Sequence, residues 1–185
     1  SWAVPLVPLF AVAAWEVWRG RERSLLSGLA TTAAASLMSA VTYSLAVGGA
    51  GGFLGTGGAS GLPGSSPNGA LTGWAWMWVV TASTAGYFCG TVPYIKSMIR
   101  ERFNRPLLVG TVAAHAPVAA AAVWLAAGGC LGWPHAVVWV ALAVRSLVMP
   151  LRQWKLAGER RPMPPRTLGR TEMLFTAAFL ITIAL

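Results

Sequence analysis

The chain reads as an all-α protein, a polytopic transmembrane bundle with about six spans, forming a single membrane domain over residues 1–185. Three observations predict this. First, no charged side chain occurs between Arg23 and Lys96, between Arg105 and Arg145, or after Glu172. Charge-free stretches of that length, built from Gly, Ala, Leu, Val and Trp, have the composition of helices that cross hydrocarbon. Second, all fourteen Lys and Arg fall in three clusters: three at 19–23, four at 96–105 and seven at 145–170. These clusters occupy alternate connections, the pattern of cytoplasmic loops under the positive-inside rule. Third, 56% of the residues are hydrophobic and 10% charged, whereas a soluble domain carries roughly 25% charged residues.

Helix one is predicted over 2–18 and ends on the basic run 19–23. Helix two follows over 25–47. Its Ser27, Gly28, Thr31, Thr32, Ala35, Ser36 and Ser39 recur at helical spacing, as close helix packing in lipid requires. Residues 48–69 hold ten of the 21 glycines with Pro63 and Pro67, and read as a flexible, non-cytoplasmic loop. No Gly-Lys-Ser/Thr follows and no strand precedes, so the run is no phosphate cradle.

Helix three is predicted over 71–95. It opens with Trp74, Trp76 and Trp78 as an interfacial belt and continues through Gly86-Tyr-Phe-Cys-Gly90. The Gly86/Gly90 spacing offers a close-approach face for self-association or a partner subunit. Helices four and five are predicted over 107–128 and 135–151, joined by an outer hairpin through Gly128, Gly129 and Pro134. His135 is placed at the outer interface. A basic cytoplasmic loop over 152–170, with Pro162, Pro164 and Pro165, leads to helix six at 171–185.

The last apolar run is shorter than the roughly 20 residues of a full span, and the chain lacks an initiating Met. Residues 2–18 have no preceding basic segment of the kind a signal peptide shows. The chain is therefore expected to be part of a longer protein.

Ionisable groups within spans are expensive and are functional candidates by default. Here they are Glu16, Lys96, Arg100, His115, Arg145 and Glu172. Lys96 and Arg100 lie four residues apart, hence on one helical face. With Arg102 and Arg105 nearby they suit a phosphate or carboxylate, although the same residues serve equally as a basic flank that snorkels to headgroups. Arg145 is placed about five residues, roughly 8 Å, inside the end of helix five. Glu172 opens helix six at a comparable depth. The two suit a structural ion pair, with a ligand role for Arg145 left open. His115 suits either a hydrogen bond to a neighbouring helix or a proton relay. The candidate anion-binding set is thus Lys96, Arg100, Arg145 and His115.

The chain has no Asp and no clustered carboxylates. No catalytic residue, metal site or cofactor is expected, and magnesium-pyrophosphate chemistry has no obvious ligands. Cys89 and Cys130 show no metal spacing and are expected to stay unbridged. The net charge of +9 matches basic loops beside an anionic leaflet, so membrane lipids are expected partners and nucleic acid is not.

The stretch Arg21-Glu-Arg-Ser-Leu-Leu-Ser-Gly-Leu-Ala30, with Leu37-Met38 and Tyr43, resembles the YwiC-like family of bacterial integral membrane proteins. So do Gly90-Thr-Val-Pro-Tyr-Ile-Lys-Ser-Met-Ile-Arg-Glu-Arg102, Arg145 with Pro150, and the helix start from Gly169 to Glu172. The resemblance covers almost the whole chain and is most specific over 96–102. It implies a multi-pass protein of the bacterial plasma membrane with further N-terminal spans, and it implies no activity. Pro93 departs from the family pattern, where an aliphatic residue is usual, and a local kink is expected there.

Three functions compete. The first is binding or transport of an anionic metabolite or lipid headgroup at a cytoplasm-facing basic site. The second is a membrane-embedded enzyme packed like the UbiA-type prenyltransferases, against which the missing Asp-rich motifs weigh. The third is an accessory subunit of a membrane complex.

Overall fold

The computed structural model describes residues 2–57 and 60–185. Among these residues six α-helices follow in order: α1 (Ala3–Trp18), α2 (Leu25–Ala46), α3 (Gly73–Ile99), α4 (Arg105–Ala127), α5 (Trp133–Gly158) and α6 (Pro165–Ile183). Among the described residues there is no strand, only an isolated bridge between Ser65 and Thr72. The fold is a helical bundle, and α2, α4 and α5 are long and apolar enough to cross a membrane. A helix in lipid satisfies its own backbone, which is why these apolar runs are helical and not extended.

The chain divides into two compact units, Ser1–Val92 and Pro93–Leu185. The boundary falls inside α3 at Pro93, where the helical ladder lacks an N–H; the helix continues through it nevertheless.

In the first unit α1 packs on α2. Ser24 caps α2, its hydroxyl accepting from the Ser27 N–H at 2.9 Å. The hydroxyls of Thr31, Thr32 and Ser36 donate to the carbonyls of Ser27, Gly28 and Thr32. Polar side chains are thus satisfied within their own helix, as an apolar surround demands. Ser39 and Thr81 then join α2 to α3 at 3.0 Å.

The segment expected to be a flexible loop over 48–69 is tied down. Of that range, residues 58 and 59 lie outside the described residues. A 3-10 turn forms over Phe53–Gly55. The Trp74 indole donates to the Ala50 carbonyl at 2.8 Å, and Trp78 donates to Leu54 at 3.0 Å. The Tyr43 hydroxyl donates to the Pro63 carbonyl at 2.8 Å. Gly51 and Gly55 permit this: both have positive φ, and a side chain on either would collide with the Trp74 ring. Trp74, expected in an interfacial belt, is instead buried beneath the glycine-rich segment.

In the second unit α5 packs against both α4 and α6. Helix boundaries depart most from the sequence reading here. α5 runs to Gly158 and α6 begins at Pro165, so the basic loop expected over 152–170 contracts to 159–164. Pro150 does not end α5, because prolines are accommodated in spanning helices when neighbours satisfy the backbone. The extra turns are held from outside. Gln153, the only glutamine in the chain, donates to the Met98 carbonyl at 3.4 Å and accepts from the Met163 N–H at 2.8 Å. Trp154 donates to the Ser97 carbonyl at 3.3 Å. Tyr94, Met98 and Leu168 form a buried apolar cluster close by.

Candidate functional site

The second unit carries a buried cation. Arg145 is 4% exposed. It lies 12 residues from the start of α5 and 13 from its end, so about 18 Å and about 20 Å of helix rise. The expected depth of roughly 8 Å assumed a helix ending at 151. The charge is therefore near the middle of its helix.

Three helices surround it. From α6, Glu172 accepts a hydrogen bond from Arg145 Nη1 at 2.7 Å. From α3, the Tyr94 ring lies 4.3 Å from the guanidinium carbon, and from α6 the Phe175 ring lies 4.6 Å from it. Two rings and a carboxylate replace hydration, which is how a desolvated guanidinium is stabilised. The Tyr94 hydroxyl faces the Glu172 carboxylate. On α4, buried His115 is close enough to interact electrostatically with Arg145. The His115 Nδ1–H donates to the Thr111 carbonyl at 2.8 Å.

The arrangement leaves donors over. Arg145 Nε and Nη2 are buried without a hydrogen-bond partner, as is Glu172 Oε1. Nε and Nη2 share one edge of the guanidinium, so their N–H bonds form the parallel fork that suits a carboxylate or phosphate. Along the outside of α5 and α6 runs an apolar groove of about 440 Å³. Val137, Val140, Val144, Val148 and Phe175 line it, and Arg145 and Thr171 are its polar contributors.

The other sequence candidates are placed differently. Lys96 pairs with Glu101 at 3.0 Å. Asn104 donates to the same carboxylate at 2.7 Å and caps α4 by accepting from the Leu107 N–H. The Lys96 hydrogen bond holds the Glu101 carboxyl below the usual glutamate range, with the Asn104 bond acting in the same direction. Arg100 is exposed, one residue past the end of α3. Its N–H still donates to the Lys96 carbonyl at 3.1 Å, while the Lys96 side chain is engaged by Glu101. Arg102 Nε donates to the Met98 carbonyl.

His135, expected at the interface, is fully buried, its ring against Phe179. Its Nδ1 lies 3.0 Å from the Thr182 hydroxyl. That hydroxyl donates to Ala178 and so accepts from the imidazole. Gly86 is half-buried and Gly90 buried. Both cysteines are free thiols.

The sequence reading missed Tyr94 and Phe175. Each aromatic sits close in sequence to a candidate charge, Tyr94 two residues before Lys96 and Phe175 three residues after Glu172. Nothing in that spacing reveals that both rings face Arg145 from other helices.

A family model described as YwiC-like protein matches residues 1–43. The chain is also similar to the uncharacterised protein YwiC of Bacillus subtilis (strain 168), at 29% identity over 182 residues, which is 98% of the chain. It spans 61% of that relative's length. No solved structure matches.

Proposed function

We propose that this chain is an integral membrane protein of the YwiC-like family and that it binds or transports an anionic metabolite or lipid headgroup at Arg145. The observation that carries the reading is the unpartnered Nε–Nη2 edge of a buried guanidinium. Buried charge is retained in a span only where something offsets its desolvation, and Glu172 engages one of the three nitrogens. His115 adds a second nitrogen base nearby. Lys96 and Arg100 serve as a basic flank outside this site, since Lys96 is already paired with Glu101 and Arg100 is exposed past the end of α3.

The enzyme reading has less support. The carboxylate beside Arg145 is bound to it, and the chain has no Asp to hold a divalent cation. Self-association through Gly86 and Gly90 is also weaker, because Gly90 is covered within its own chain.

Native mass spectrometry of the purified full-length protein tests the anion reading. Wild type retains an acidic ligand, and Arg145→Gln loses it; equal occupancy in the two proteins overturns the proposal. The orientation belongs to the same reading, with 19–23, 96–105 and 152–170 cytoplasmic and 48–69 outside. Cysteine probes in 48–69 then react in intact cells, and reaction only after permeabilisation reverses the assignment.

A further inference from the structure

We infer that the acidic ligand is an amphiphile, with its phosphate or carboxylate at Arg145 and its hydrocarbon tail in the groove between α5 and α6. The inference rests on the anion reading above and adds the rest of the ligand. A water-soluble anion needs a polar route to its cation. The groove beside Arg145 offers none, since valines, Met149 and Phe175 make most of its wall. It extends from Val137 to Met149 along α5, about 18 Å of helix rise. Such a shape accepts an extended chain from the bilayer side. Val137, Val140, Val144 and Val148 are all more than two-fifths exposed on that face.

Charge complementarity selects the head. The unpartnered N–H groups of Arg145 call for two oxygens in one plane. Phe175 both lines the groove and lies over the guanidinium, so the tail site adjoins the head site. Arg145 and Glu172 together are neutral. An acid at the fork therefore arrives in its neutral form, a carboxylic acid with one proton and an alkyl phosphate with two, each proton kept by the ligand or taken by Glu172 or His115, with the Tyr94 hydroxyl the remaining titratable neighbour. No net charge is then added in the bilayer.

The test uses the full-length protein in phosphatidylcholine nanodiscs, with ligand retention read by native mass spectrometry. Dodecyl phosphate and laurate are each compared with the tailless inorganic phosphate and acetate. Val144→Trp and Val140→Trp fill the groove at exposed positions that leave Arg145 and its partners in place. At least one tailed probe is retained by wild type over its tailless counterpart, and each Trp variant lowers that retention by roughly tenfold. Retention of a tailless anion equal to that of its tailed partner, unchanged in both Trp variants, overturns the tail site while the anion reading stands. Failure of wild type to retain any of the four probes overturns both. A change of oligomeric state in the Trp variants without loss of the amphiphile makes the groove a protein contact and also overturns the inference.

Discussion

The two compact units solve one problem in different ways. Ser1–Val92 is held by neutral hydrogen bonds: hydroxyls returned to their own helix, indoles donating to loop carbonyls, and glycines that let rings lie on backbone. Its charges lie at 16–23, where Arg21 Nε stands 3.5 Å from Glu16. Pro93–Leu185 carries eleven of the Lys and Arg residues, and one of them is buried near the middle of a long apolar helix. Neutral hydrogen bonds contribute roughly 0.5–1.5 kcal/mol each and tolerate loss. A buried charge does not tolerate losing its partner. The first unit also buries one charge, Glu16, but near the end of α1 beside the exposed Arg21; the second unit's lies mid-helix and makes that unit the more conditional of the two.

The sharpest way to break the comparison is at Arg145. Glu172→Ala leaves the guanidinium without its carboxylate and should destabilise the protein by about 3–5 kcal/mol, read by denaturant titration in micelles. Arg145→Leu with Glu172→Leu should recover most of that loss, since it removes both charges. Additive effects in the cycle would show that the pair is not coupled. A smaller effect is expected in the first unit. Gly55→Ala forces a side chain into the Trp74 ring at a positive φ and should cost about 1–3 kcal/mol. Tryptophan fluorescence should report displacement of the indole, and an unchanged spectrum with unchanged stability would refute the packing described for the segment.

The smallest effect concerns the α3–α4 connection. Its Lys96 hydrogen bond lowers the Glu101 pKa, so the folded carboxyl ionises more readily than the unfolded one. The resulting stabilisation is present above the unfolded value of about 4.3 and is lost as pH falls through the folded one. Amide exchange at 101–104 should therefore quicken at the acid end of that window in wild type. Lys96→Gln should shift the onset to higher pH.

Charge distribution made the helical class and the sites of most helices legible, because lipid excludes charge whatever the side-chain packing. The length of α5 was not legible. Pro150 and Arg152 look like an end, and what prolongs the helix is Gln153 reaching the Met98 carbonyl and the Met163 N–H, contacts distant in sequence. For the same reason the glycine-rich segment reads as loose chain, although Trp74 and Trp78 organise it. At the candidate site, Arg145 and Glu172 are conspicuous as rare ions in apolar surroundings. Tyr94 and Phe175 are ordinary aromatics until three helices converge on one guanidinium.

The extended α5 has a mechanical consequence. Its 26 residues make about 39 Å of helix against a hydrocarbon layer of about 30 Å. The surplus is the polar stretch 152–158, anchored through Gln153 and Trp154 to the end of α3. An anchored helix cannot relieve mismatch freely by tilting, so a change in bilayer thickness moves the headgroup plane along Arg152 and Lys155 instead. The basic end of α5 then works as a depth gauge, since the residue that meets the headgroups changes with the depth of Arg145.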